Sequence, residues 1–222
     1  VADFDYEGID SNKRSALYEQ FSYHLTNDLL HFSEHEFENN DGGHGNYTLS
    51  IISGATDDYE GVAPMAEIYC DGYYEYPDCL FTPTEIMIDN GVNIISGSFG
   101  WGYANNGYNY IAKFFDYVVS NSEVTFCISS GNKTYTADLI YEVRSSVIPY
   151  NIIAVGNIND KGTLDKTDDA RSIYSRYNGN LDGAYKPDVC APGSRVSTYV
   201  ELGRTNGGTS AACPVVAGTC AL

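Results

Sequence analysis

Basic residues are scarce in this chain: 12 Lys and Arg stand against 30 Asp and Glu, a formal net charge of −18. Phosphate backbones and anionic membrane surfaces are both bound through Lys and Arg, so neither nucleic acid nor membrane is an expected partner. No apolar run approaches the roughly 20 residues of a membrane-spanning helix. Cys70, Cys79, Cys127, Cys190, Cys213 and Cys220 show no C-x-x-C spacing of the kind that holds a metal. Cys70 and Cys79 flank a loop and form a candidate disulfide, whereas Cys127 and Cys213 sit in apolar runs and read as buried thiols. The acidic loop with Asp160, Asp165, Asp168 and Asp169 lacks the D-x-D-x-D-G order of a calcium loop. What remains is an ordinary globular balance: 222 residues, 43% hydrophobic and 19% charged, enough for one good-sized core in a single domain. The 20 Tyr read either as scattered half-buried side chains or as the lining of a groove for an extended polymer.

Along the chain, short apolar runs alternate with helical patterns. Strands are expected at residues 1–5, 66–70, 92–98, 124–129 and 151–157, and helices at about 83–90 and 107–121. Gly91 suits the C-cap of the first of these helices. In the second, Ile111, Phe114, Phe115, Val118 and Val119 mark a buried face. Leu17, Phe21, Leu25 and Leu29 recur at four-residue intervals and predict a helix with a core stripe over 12–30. This alternation implies an α/β layered fold with a mainly parallel sheet and no internal repeat. His31-Phe32-Ser33-Glu34-His35 fits H-x-x-E-H. On one helical turn His31 and His35 would share a face and hold zinc, with Glu34 as base; the plainer reading is a solvated helix end.

One stretch concentrates chemistry. Asn206-Gly207-Gly208-Thr209-Ser210-Ala211-Ala212-Cys213-Pro214-Val215-Val216-Ala217-Gly218 delivers a single hydroxyl, Ser210, at the start of an apolar small-residue helix. Glycines allow close approach, and a helix N-terminus offers N–H groups to developing negative charge. Alone, the run reads equally as a turn with Thr209 or Ser210 as N-cap. The longer string resembles the nucleophile motif of the subtilisin-like serine proteases, the subtilases, G-T-S-x-A-x-P-x-V-A-G. Further segments resemble the same family in order. His44-Gly45 ahead of a small-residue helix is similar to the family's histidine segment, with Asn46 where Thr is usual and Leu49-Ser50 in place of Val-Ala. Gly61-Val62-Ala63-Pro64, Ser98-Phe99-Gly100, Ser130-Gly131-Asn132 and Asp188-Val189-Cys190-Ala191-Pro192-Gly193 each resemble a family segment. Near the start, Asp5-Tyr6-Glu7-Gly8-Ile9 carries one residue more than the family's Asp-(Ser/Thr)-Gly-Ile.

The resemblance implies a three-layer subtilisin-like α/β fold and one catalytic domain over 1–222. It implies an Asp5–His44–Ser210 triad, with Asp3 as the rival acid, and Asn132 as oxyanion donor. Ser98, Phe99 and Gly100 would form one wall of the substrate channel, and Ser129, Ser130 and Gly131 the other. The implied partner is a polypeptide. The chemistry needs no metal or organic cofactor, although many subtilases bind a structural calcium. Both ends read as cut, so we expect the mature or excised part of a longer chain, accompanied by a propeptide or its remaining portion, at a secreted or cell-surface location. Two alternatives stay open: a pseudoenzyme that binds peptides without cutting them, and a zinc peptidase built on His31, Glu34 and His35.

Overall fold

The computed structural model describes residues 2–3, 19–32, 44–57, 59–71, 80–100, 107–133, 143–177, 179–181, 184–194, 196 and 207–222. In chain order the strands are β1 (Ala2–Asp3), β2 (Leu30–Phe32), β3 (Ala55–Thr56), β4 (Tyr59–Glu60), β5 (Ile68–Cys70), β6 (Ile94–Gly97), β7 (Thr125–Ser129), β8 (Ile153–Asn159), β9 (Ala170–Arg171), β10 (Gly179–Leu181), β11 (Ala184–Lys186) and β12 (Val189–Pro192). The helices are α1 (Ser22–Thr26), α2 (His44–Ser53), α3 (Phe81–Asp89), α4 (Tyr110–Asn121) and α5 (Thr209–Ala221), with a 3₁₀ turn at Ser145–Val147. Strands β12, β8, β7, β6, β1, β5 and β2 lie side by side in that order, all pairs parallel, and β9 adds to β8 antiparallel. The expected mainly parallel sheet is therefore present.

Alternation along the strands gives the layers. Phe126 and Ile128 of β7 join Ile95, Leu80, Met87, Ile111, Phe115 and Val147 in one buried cluster, under α3 and α4. Cys127, between them, faces the other way and packs with Val155, Ala191, Ala212, Cys213 and Ala217, under α5. Neighbouring residues of a strand point to opposite faces, so the sheet is covered on both sides, as a parallel sheet requires. Each fully buried ring such as Phe115 or Phe126 contributes about 1.5–3 kcal/mol. Helix α5 approaches the sheet closely because Ala211, Ala212, Cys213 and Ala217 are small, and all four are fully buried.

Helices α3 and α4 begin and end close to expectation. Asn109 caps α4, its side-chain oxygen accepting from the N–H groups of Ile111 and Ala112 at 3.0 and 3.1 Å. Gly91 follows α3 at φ +79. On α4, Ile111, Phe115 and Val118 are buried, while Phe114 and Val119 are partly so. Of the predicted helix over 12–30, residues 12–18, Leu17 among them, lie outside the described residues. Residues 19–20 and Ser22–Thr26 are helical and Phe21 of the stripe is buried in the core, but Leu25 is exposed and the chain has turned into β2 by Leu30. His31 lies on β2, a strand, its ring stacked on Tyr69 and its Nε2 2.9 Å from the Glu67 carboxylate. The one-turn helical pairing of His31 and His35 does not arise at His31; Glu34 and His35 lie outside the described residues, and no His/Cys/Asp/Glu cluster able to hold a metal occurs among the described ones. Cys70 is buried on β5 and Cys79 lies outside the described residues. Cys127 and Cys213 are fully buried, and burial raises the Cys127 thiol far above its usual range.

Candidate active site

The strand order reverses around β1, which has β5 and β2 on one side and β6, β7, β8 and β12 on the other. In open α/β sheets the crevice beyond the carboxyl ends of the strands at such a point is where ligands bind. Asp3 ends β1 opposite Ser96 of β6 and Cys70 of β5. Asp5 lies outside the described residues. Residues 98–100 leave β6 and residues 130–132 leave β7; because Gly97 is in register with Ile128, the two exits run side by side.

Helix α5 opens between these exits. Its N-cap is Gly208, at φ +117, which has no side chain to cap the helix with. Thr209 and Ser210 are the first two helical residues rather than caps. Three bonds secure the helix start through Thr209. The Thr209 N–H donates to Asn132 Oδ1 at 2.9 Å, and the Thr209 hydroxyl donates to the same oxygen at 3.2 Å. That hydroxyl in turn accepts from the Gly131 N–H at 3.2 Å. Two donors on one carboxamide oxygen fix which end of the Asn132 amide is oxygen, so Nδ2 is turned away from Thr209. Gly208 must be glycine twice over: its φ is left-handed, and a Cβ would stand 2.8 Å from Asn132 Oδ1. The Gly208 N–H donates to the Gly193 carbonyl at 2.6 Å, tying the helix start to the turn after β12.

A proline inside the helix explains Ser98. Pro214 sits within α5 and has no N–H to give the carbonyl four residues back, that of Ser210. The Ser98 hydroxyl donates to that carbonyl instead, at 2.9 Å. The neighbouring serines are used in the same way. Ser129 Oγ donates to the Phe99 carbonyl at 3.3 Å, bridging the two exits, and Ser130 Oγ donates to the Arg176 carbonyl at 3.1 Å. The Phe99 ring is buried in the main core cluster. Residues 98–100 and 129–131 thus face the crevice with main chain and glycine, their side chains turned inward.

His44 is the first residue of α2 and is half-buried. Helix α2 packs along α5: Tyr47, one turn beyond His44, and Ile51 share a buried cluster with Ala211, the residue after Ser210. The N-terminal ends of both helices are therefore brought to the same region. Asn46, two residues on, is fully buried.

Three residues at the site receive no role from the motifs. Thr209 reads from the sequence only as a cap, yet it couples Asn132 and Gly131 to the helix start. Arg176 is fully buried, its Nε donating to the Asn132 carbonyl at 3.0 Å and its N–H to the Gly131 carbonyl at 3.0 Å. Arg144 donates its backbone N–H to the Ser130 carbonyl at 3.2 Å. The available signal for the two arginines is their rarity, in a chain with 12 basic residues.

A family model described as "Subtilase family" matches residues 4–222. Among solved structures, the prenylagaramide maturation protease PagA aligns with a TM-score of 0.71 at 20% identity, covering 100% of this chain and 74% of that one. The patellamide maturation protease PatA gives 0.67 at 17% identity, covering 99% and 75%. The subtilase cytotoxin SubAB gives 0.67 at 18% identity, covering 100% and 74%. At these identities the structural likeness speaks for the fold. No curated protein matches the sequence.

Proposed function

Since the chain belongs to the subtilase family of serine peptidases, we propose that it is an endopeptidase whose nucleophile is Ser210. Ser210 Oγ attacks the peptide carbonyl. A neutral hydroxyl is a weak nucleophile, so His44 takes its proton and returns it to the leaving amine. Asp5 orients His44 and stabilises its charged form. The oxyanion is received by Asn132 Nδ2 and by the Ser210 N–H, one of the first-turn donors that a helix cannot satisfy internally. Water then hydrolyses the acyl-enzyme. The order of acid, base and nucleophile along the chain is the same as in subtilisin. An extended peptide would lie against the main chain of 98–100, pairing as an added strand, with 129–131 opposite.

The observation that carries this reading is the contact between Asn132 and Thr209. Thr209, the residue beside Ser210, holds the carboxamide oxygen and so leaves the amide nitrogen turned away from Thr209, which supports a role for it as oxyanion donor. Loss of such a donor costs about 10²–10³ in kcat, a magnitude known from subtilisin itself.

A fluorophosphonate probe should label the protein at Ser210. Ser210→Ala should abolish labelling and peptide hydrolysis together, and Asn132→Ala should slow hydrolysis with little change in KM. Peptide binding without labelling would assign the chain as a pseudoenzyme. Hydrolysis that survives Ser210→Ala and stops with a chelator would return the reading to His31, Glu34 and His35.

A further inference from the structure

The walls of the crevice expose main chain and two glycines, Gly100 and Gly131, so the side chain that reaches between them decides what a substrate meets there. Among the described residues that side chain is Arg144. A Cβ built on Gly100 would stand 2.8 Å from Arg144 Cγ and 3.1 Å from its Cβ; one built on Gly131 would stand 2.6 Å from the same Cγ and 3.4 Å from Arg144 Nε. The arginine stem therefore lies against both walls at once. Arg176 closes the inner end: its Cδ is 3.2 Å from the Gly131 Cβ position, and it is wholly buried. A third group faces the same gap. Ser146 Oγ is 3.3 Å from the Gly100 Cβ position, its residue is 1% exposed, and it has no hydrogen-bond partner among the described residues. A buried hydroxyl left without a partner is costly, and at a pocket floor it is available to a ligand atom.

We propose that Arg144, supported by Arg176 and Ser146, makes the pocket selective for an acidic side chain, Glu or Asp, on the residue whose carbonyl Ser210 attacks. This rests on the reading of Ser210 as nucleophile. In an extended substrate alternate side chains point the same way, so the residue held at the scissile carbonyl drops its side chain between 98–100 and 129–131. There it meets cationic and hydroxyl donors and no acceptor side chain from the walls, whose serines are engaged with carbonyls. Arg144 and Arg176 keep contacts of their own. A guanidinium has five donors in a planar fork matched to a carboxylate. The preference is local: with a net charge of −18, long-range attraction would favour cationic peptides, and only a short-range cation selects the opposite charge.

The test uses the full chain and four fluorogenic peptide amides identical except for Glu, Ala, Leu or Lys at the residue before the cleaved bond. The wild-type protein should process the Glu substrate with kcat/KM about tenfold or more above Leu and Ala, and further above Lys, as one charge-assisted contact implies. Arg144→Gln should bring the Glu-to-Leu ratio to near one, and Arg144→Lys should restore part of it. Should Arg144→Gln fail to fold, the wild-type order still decides. A preference for Leu overturns the proposal. A preference for Ala also does, since Arg144 then merely fills the pocket. So does an unchanged ratio in Arg144→Gln. Fluorophosphonate labelling of Ser210 in the wild type separates the two levels: labelling with the wrong preference sinks only the specificity, whereas absence of labelling sinks the peptidase reading beneath it.

Discussion

Removing the Ser98 hydroxyl should destabilise the protein by an amount that depends on Pro214. The Ser210 carbonyl is the fourth-residue-back acceptor of Pro214, which cannot donate, and Ser98 Oγ at 2.9 Å is its partner. Ser98 is buried, so Ser98→Ala leaves that carbonyl unpaired at a cost of about 1–3 kcal/mol. For a chain of this size each kcal/mol lowers Tm by about 2–4 °C, giving an expected fall of roughly 2–12 °C. Pro214→Ala supplies the missing N–H within the helix. In that background Ser98→Ala should cost about 0.5 kcal/mol or less, a coupling of about 0.5 kcal/mol or more in the double-mutant cycle. The melts should be recorded by calorimetry in a Ser210→Ala background, which keeps the carbonyl and prevents self-digestion. Equal penalties in both backgrounds would refute the claim that the proline created the need for Ser98.

Thr209→Val keeps the shape of the side chain but removes its donor to Asn132 and its acceptor for Gly131; kcat should fall about tenfold with KM nearly unchanged, Thr209→Ser should stay close to wild type, and Thr209→Val should add little in an Asn132→Ala background. Gly208→Ala forces a Cβ to 2.8 Å from Asn132 Oδ1 at a left-handed φ of +117, so fluorophosphonate labelling should slow at least as much as in Asn132→Ala. His24 is fully buried, and burial lowers its pKa below the ordinary 6.5. The stability it contributes is present above 6.5 and is lost as pH falls through the lowered value; Tm should fall as the pH is lowered below about 6.5, and His24→Phe should flatten that fall.

What is readable in the sequence follows from where the constraints act. The run from Gly207 to Gly218 is legible because its requirements are steric and local: a left-handed Gly208, small residues against the sheet, a proline in a fixed place. The strands β6, β7 and β8 are legible because both faces are buried, which leaves near-continuous apolar runs. The helix predicted over 12–30 is legible in part: residues 19–20 and Ser22–Thr26 are helical and Phe21 of the stripe is buried, whereas Leu25 is exposed and the turn into β2 at Leu30 is not announced by periodicity. The H-x-x-E-H string presumes a helical turn that is absent at His31, which lies on a strand, while Glu34 and His35 lie outside the described residues. The pairings of Ser98 with Ser210, Thr209 with Asn132 and Arg176 with Asn132 link residues far apart in sequence, and no local pattern announces them.

Those long-range pairings also divide the site into two kinds of residue. The described groups assigned to bond breaking sit at helix starts and strand ends, where backbone geometry fixes them. The walls beside them are serines and glycines because they must hold main chain close to a substrate: each hydroxyl is spent on a carbonyl of the frame, and each glycine leaves room. A wall built that way has no side chain left to discriminate with. On the specificity proposed above, discrimination falls to a segment outside the motifs, residues 143–147, tied to the wall through the Arg144 N–H and the Ser130 carbonyl. Substitutions there can alter what is cut while Ser210, Asn132 and Thr209 keep their mutual geometry. This is the physical reason why the chemistry of such a chain can be read from its motifs while its preference has to be read from its packing.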